Sequence, residues 1–280
     1  MRKSAIAVLL LVILGNIGVW ALWNRPVAER SWGGAISGVS YTPFHPDKSP
    51  SKGDRASSED IEKDMQALEG SVKGVRTYSA TDGSEQVAPI ARKYGLPVTA
   101  GAWIMGKPEI DEPEINGLIK LARDNNNVRR VLVGNEAILR ADVTVPQAID
   151  YIKRVKKKVN VPVSTAEPWH VWLSHPDLVE AGDFLAVHLL PYWEGVPADQ
   201  SVDYAMLRYN ELKSKYPNKH ILISEIGWPA DGPWRRGAEA SQVNQAKFIR
   251  TFLNVAAQNK LDYFIMEAFD QPWKREIEGT

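Results

Sequence analysis

Between residues 35 and 268 the sequence carries eight short apolar runs rich in β-branched residues, with helical patterns between them. The runs are Ala35–Tyr41, Gly74–Tyr78, Val98–Trp103, Val128–Gly134, Val161–Thr165, Phe184–Leu190, His220–Ser224 and Tyr263–Ala268. Several are apolar without interruption, as strands covered on both faces of a parallel sheet must be. Ser57-Ser58-Glu59-Asp60 reads as a capped helix start before Ile61, Met65 and Leu68 at helical spacing. Pro146 suits a first helical turn before Ile149, Ile152 and Val155, and similar stripes run over Leu118–Ala122 and Ala240–Ala257. Gly70 and Gly95 read as helix stops, whereas after His170 only a short helix near Leu178 is legible.

Eight strands alternating with helices over about 230 residues predict a (β/α)8 TIM barrel. The competing doubly wound sheet lacks its phosphate loop, because no Gly-rich turn follows an early strand. After the last run only Gln271–Thr280 remain, so the closing C-terminal helix is expected to be short or missing. The abrupt end at Glu278-Gly279-Thr280 reads as that of a piece of a longer protein.

The N-terminus is of another kind. Arg2 and Lys3 precede an apolar run from Ala5 to Trp23, close to the ~20 residues a helix needs to cross a bilayer. The run ends in Ala21-Leu22-Trp23-Asn24-Arg25-Pro26, without a clean cleavage site, which favours an uncleaved signal anchor over a cleaved signal peptide. The positive flank predicts an N-terminus in the cytoplasm and the remaining chain in the periplasm or outside the cell; cleavage would give a secreted protein. The expected organisation is an anchor over 1–25, a linker over 26–34 and a barrel over 35–280. Trp32 is expected at the membrane interface beside the anchor.

Lys plus Arg and Asp plus Glu each number 34, a balance that argues against nucleic-acid binding. The basic run Lys153–Lys158 has the spacing of a solvated helix face. The absence of cysteine removes disulfides, thiol nucleophiles and Cys-ligated metals.

A barrel of this kind carries its chemistry at the C-terminal ends of its strands. Those ends offer Tyr41, Arg76, Tyr78, Trp103, Asn135, Glu136, Glu167, Tyr192, Trp193, Glu225, Trp228, Glu267 and Asp270. The set is acidic and aromatic, with no histidine cluster or metal triad, and no cofactor is expected. Paired carboxyl groups flanking a scissile bond, with flat rings stacking on pyranose faces, are what a sugar-cleaving site requires. Glu136 and Glu225 are the chosen pair, since each closes an apolar strand. A glutamate after a strand also serves as the acid of a helix N-terminus, and for either residue alone the two readings weigh equally.

The flanks decide between them. Val133-Gly134-Asn135-Glu136 and Ser224-Glu225-Ile226-Gly227-Trp228-Pro229 resemble the acid/base strand end and the nucleophile signature of glycoside hydrolase family 17. Weaker echoes follow in the family's order: Gly38-Val39-Ser40-Tyr41, Val75-Arg76-Thr77-Tyr78, Pro191-Tyr192-Trp193, and Phe269-Asp270 with Trp273-Lys274. Ala230 departs from the family's usual Ser, Thr or Asn after the proline. The resemblance spans residues 36–274 and implies retaining chemistry on β-1,3-glucan, as hydrolase or transglycosylase. It implies Glu225 as nucleophile, Glu136 as acid/base, Asn135 on the sugar 2-hydroxyl, and Tyr192 with Arg76 orienting Glu225. Trp103, Trp193, Trp228 and Trp273 become expected sugar platforms, and Tyr41, Tyr78, Asp270 and Lys274 expected substrate contacts; Glu267 is read equally as a substrate contact or a structural ion pair.

Trp169 and Trp172 are as compatible with packing as with binding, and Trp234 with a loop near an acceptor subsite. His188, inside an apolar run, reads as a core histidine. Two other function classes fit the same chain: a carbohydrate-binding module without catalysis, and an accessory domain working with a glucan synthase or an additional C-terminal domain.

Overall fold

The computed structural model describes residues 2–23, 32–45 and 48–275. The chain divides into two compact units, residues 1–31 and 32–280. The expected linker 26–34 is therefore split, and its first part, with the sequence around Asn24-Arg25-Pro26, lies outside the described residues, as does Glu278-Gly279-Thr280.

The first unit contains helix α1 (Arg2–Trp23). Its segment Ser4–Leu22, with mean hydropathy 2.5, is long and apolar enough to cross a membrane.

The second unit is a closed parallel barrel of eight strands in sequence order. The strands are β1 (Val39–Ser40), β2 (Val75–Arg76), β3 (Val98–Ala102), β4 (Val128–Asn135), β5 (Val163–Pro168), β6 (Leu185–His188), β7 (Ile221–Ile226) and β8 (Asp262–Ile265). Every expected run overlaps one of them, although β4, β5 and β7 run one to three residues past the expected ends and β8 begins one residue early. Closure is direct: Val39 of β1 pairs with Ile265 of β8. The shortness of the chain after β8 therefore does not open the sheet; within the described residues that stretch ends in a single 3-10 turn, Pro272–Lys274.

The crossovers are α2 (Ser58–Leu68), α3 (Val87–Lys93), α4 (Pro108–Asp124), α5 (Val145–Lys156), the short pair α6 (Trp169–Ser174) and α7 (Pro176–Ala181), α8 (Ser201–Lys215) and α9 (Gln242–Asn259). The Ser57 side chain accepts from the Asp60 N–H to cap α2, and Thr144 with Gln147 forms a capping box at α5. Helix α8 has no clear sequence signal because its buried stripe is sparse: Ser201, Val202, Ala205 and Leu212.

Two clusters separate the faces of the sheet. Val131, Val133, Val187, Ile221, Ile223 and Ile265 join the large cluster that includes the helix faces. Leu132, Ala166, Ala186, Leu222 and Phe264 form a small separate one. Since side chains alternate along a strand, the small cluster marks the barrel interior. Trp32, expected at a membrane interface, instead packs half-buried on the large cluster, so its indole is part of the barrel unit.

Candidate active site

Alternation alone would aim Glu225 at the helices, because Leu222 faces inward and Glu225 is three positions on. A register shift corrects this. Val187 pairs with Ile223 but His188 pairs with Glu225, so β7 carries one extra residue. Ile226 returns to the outer cluster, which places Glu225 on the inner face. Strand β4 repeats the device: Leu132 pairs with Ser164 and Asn135 with Ala166, three steps against two. A bulge re-aims a side chain in this way. Gly134 sits within it at φ 102°, a conformation that glycine adopts at little cost. Glu136 follows at φ 54°, an uncommon backbone for a non-glycine residue and one that clusters at functional sites.

Arg76 organises the mouth of the barrel. Its Nη1 donates to Glu225 Oε1 at 2.7 Å and to the Ser224 carbonyl at 3.1 Å, and its Nη2 donates to Asn135 Oδ1. Strands β2, β4 and β7 are thus tied by one buried guanidinium. His188, the last residue of β6, lies between the carboxylates: Nδ1 is 2.8 Å from Glu136 Oε1 and Nε2 is 3.4 Å from Glu225 Oε1. An oxygen of Glu136 and one of Glu225 lie within 4.8 Å of each other. That proximity is compatible with the ~5–5.5 Å carboxyl separation of retaining enzymes.

Burial by itself would raise the Glu225 carboxyl. The His188 ring, the Arg76 guanidinium and Lys274 together outweigh it and hold Glu225 below the usual carboxylate range. Tyr78 is driven well above an ordinary phenol, first by burial and then by the Glu225 charge, so it stays neutral beneath Arg76, 4.5 Å from its ring centroid. Glu167, at the end of β5, is pushed up to about 7, chiefly by burial. Its two oxygens accept from the N–H groups of Ile138 and Leu139, at 2.9 and 3.2 Å, in the turn that follows Glu136.

The expected residues divide on this geometry. Glu136, Glu225, Asn135, Arg76 and Tyr78 are brought together. Lys274 pairs with Glu267, its Nζ 5.7 Å from the Tyr78 ring centroid. Trp103 is half-buried with one face under Arg140, 4.4 Å away, and Trp193 is 36% exposed with Arg235 stacked at 4.0 Å. Trp273 is half-buried and donates to Gln271, and Asp270 is exposed beyond β8.

Four expectations need correction. Tyr192 does not orient Glu225: its single hydroxyl proton goes to the Pro233 carbonyl, and Arg76 and His188 take that role. Trp228 is 2% exposed, donates to the Glu239 carbonyl and packs on Phe248, so it anchors a loop instead of presenting a face. Tyr41 is fully buried and donates to Asp64, away from the pair. His188 is not a plain core residue but bridges the two glutamates.

Trp172 is a core residue bonded to the Ala186 carbonyl. Trp169 packs under Arg208, and Trp234 is 69% exposed.

By distance, Glu136, His188 and Glu225 could surround a cation, contrary to the sequence expectation of no metal triad. The surroundings disfavour one. Arg76 already brings positive charge to Glu225 Oε1, and the two imidazole nitrogens face different carboxylates. One imidazole nitrogen is hydrogen-bonded to Glu136 and the other faces Glu225 at 3.4 Å.

Comparison with known proteins agrees with this geometry. The family model described as the BtgE/BtgC glycoside hydrolase domain matches residues 38–280. The chain belongs to that family. A glucan 1,3-beta-glucosidase of Arthroderma benhamiae is 29% identical over 79% of this chain and 76% of the relative. A probable glucan endo-1,3-beta-glucosidase, btgC, of Aspergillus fumigatus is 29% identical over 85% of this chain. The match spans only 38% of that longer relative. The solved glycoside hydrolase family 17 beta-1,3-glucanosyltransferase of Rhizomucor miehei superposes with a TM-score of 0.76 at 27% identity, over 85% of this chain and 89% of its own. A beta-glucuronidase of Bacteroides uniformis, 13% identical over 83% of this chain and 30% of its own with a TM-score of 0.66, shares the fold. The expected kinship with family 17 is borne out.

Proposed function

We propose that the protein is a retaining glycoside hydrolase or transglycosylase acting on β-1,3-glucan. The observation that carries this is the pair Glu136 and Glu225, within 4.8 Å at the barrel mouth, with Glu225 held ionised by Arg76. Glu225 attacks the anomeric carbon while the Glu136 proton passes to the leaving oxygen, and the glycosidic C–O bond breaks as the glycosyl ester forms. Glu136, now a carboxylate, takes the proton of the acceptor, water or a sugar hydroxyl, as that acceptor displaces Glu225. Arg76 fixes the carbonyl end of the Asn135 amide and leaves its NH2 end as the donor for the 2-hydroxyl, a bond that strengthens as the oxocarbenium-like transition state forms.

The test uses the full chain in detergent with β-1,3-gluco-oligosaccharides, read by product mass and linkage. Shorter products mean hydrolysis, longer ones transfer, and a new linkage branching. A folded protein without turnover, indistinguishable from its Glu225→Gln variant, overturns the reading. It would leave carbohydrate binding or an accessory role beside a glucan synthase.

The apolar segment Ser4–Leu22, preceded by Arg2 and Lys3, supports an anchor with the barrel outside the cytoplasm. Full-length protein remaining in membranes after alkaline extraction is the expected result. A shortened soluble form would mean signal cleavage.

A further inference from the structure

His188 is 1% exposed and lies within 3.4 Å of both glutamates. Simple alternation from the inward Ala186 brings its ring to the inner face, and its pairing with Glu225 across the β7 bulge sets the height. Its Nδ1 lies at hydrogen-bond distance from Glu136 Oε1, so exactly one proton belongs in that 2.8 Å contact, on one atom or the other. Nε2 is enclosed with no hydrogen-bond partner among the described residues, Glu225 Oε1 lying 3.4 Å away. A bare lone pair there would face an ionised carboxylate, so Nε2 carries hydrogen.

Resting on the functional reading above, we infer that His188 is a positioning residue that holds the catalytic proton with Glu136, its Nε2–H fixed toward Glu225 and its Nδ1 sharing the proton of Glu136. When the leaving oxygen arrives, that proton moves to it from Glu136 Oε1 as the C–O bond breaks. The Glu136 carboxylate then faces the Nδ1 lone pair, an unfavourable contact that favours taking the acceptor's proton in the second step. The charged groups acting on the ring are Glu136 from β4, Glu225 from β7 and Glu167 from β5, with Arg76 of β2 reaching it through Glu225.

The experiment measures kcat/KM against pH for the wild type, His188→Gln and His188→Phe in the full chain. One substrate is a β-1,3-gluco-oligosaccharide, whose leaving group needs a proton; the other is a dinitrophenyl β-glycoside, whose leaving group does not. The variants are expected to lose roughly 10²-fold on the oligosaccharide, the scale of general acid catalysis, and under about 10-fold on the activated substrate. Their alkaline limb on the oligosaccharide should move to lower pH. Equal losses on both substrates, or a limb that stays or moves upward, overturns the inference.

A second measurement does not need turnover. In 15N-histidine-labelled protein, Glu136→Gln should shift the Nδ1 resonance of His188, and Glu225→Gln the Nε2 resonance. Insensitivity of both nitrogens overturns the inference even if the variants at 188 fail to fold. A wild type that cleaves neither substrate but shows both shifts would reject the functional reading and keep the proton contact.

Discussion

Arg76 and Glu225 meet at 2.7 Å with their side chains 1% and 5% exposed, a fully enclosed ion pair joining the second and seventh strands of the barrel. Such a pair gains little net stability, because desolvation offsets attraction, but removing one partner leaves an uncompensated charge at a cost of about 3–5 kcal/mol. Its use here is to fix the charge state and direction of one carboxylate. The same guanidinium also fixes Asn135, so the proposed nucleophile and the proposed 2-hydroxyl contact are set by one residue.

Arg76→Met tests this. The folded-state carboxyl of Glu225 lies below its ordinary value, so its ionised form contributes stability above the ordinary carboxylate pKa, lost as pH falls through the lowered folded value. Without Arg76 the burial effect is opposed only by His188 and Lys274, so the acid limb of kcat/KM should move to higher pH, with a fall of at least 10²-fold at neutral pH. An unmoved acid limb in a folded variant would show that Arg76 does not keep Glu225 ionised.

Glu167 gives a stability signature of opposite sign. Its carboxyl is raised to about 7 from 4.5, so between those values the folded protein binds more protons than the unfolded chain. Stability should therefore decline as pH rises from about 4.5 to about 7, by about 3 kcal/mol in all. Glu167→Gln removes the titration and should flatten this part of a Tm-against-pH curve. It also replaces two acceptors by one at the Ile138 and Leu139 N–H groups, so kcat should fall as the turn after Glu136 loosens. An unchanged slope in the variant would assign the titration to another group.

The strands and the two glutamates were legible because continuous apolar runs ended in charged residues within long flanking motifs. His188 was not, and the reason is a boundary. The apolar run continues to Leu190 and buries the histidine in mid-strand, whereas β6 stops at His188 and leaves it at the mouth. The bulges at Gly134 and Ser224 are equally silent in the sequence, yet they decide that Asn135 and Glu225 face inward. Proximity to a strand end also misplaced Tyr192 and Trp228, because the segment containing Pro233 and Glu239 accepts their donors and draws both rings under it.

Gly134 offers a direct test of the first bulge. It holds φ 102°, and a Cβ added there would lie 3.2 Å from Thr165 Oγ1. Gly134→Ala should cost about 1–3 kcal/mol through backbone strain. Because Glu136 sits two residues on, the folded variant should lose kcat far more than substrate affinity. Wild-type kcat together with wild-type Tm would show that the bulge tolerates a side chain.

Two tryptophans of the same strand-end set should respond in opposite ways. Trp228 is 2% exposed and wedged between Tyr192 and Phe248, with ring centroids 5.5 and 5.7 Å away. Trp228→Ala should remove about 3–5 kcal/mol of stability, the usual cost of emptying a large buried site. Trp193 is 36% exposed, with one face under Arg235. Trp193→Ala should leave Tm nearly unchanged and raise KM for longer β-1,3-gluco-oligosaccharides by roughly 5–10-fold, with kcat little altered. That split is expected because stacking holds ground state and transition state alike. Thermal melts and steady-state kinetics on both variants decide it: a large Tm loss at Trp193, or an unchanged KM there, would remove that ring from the binding surface.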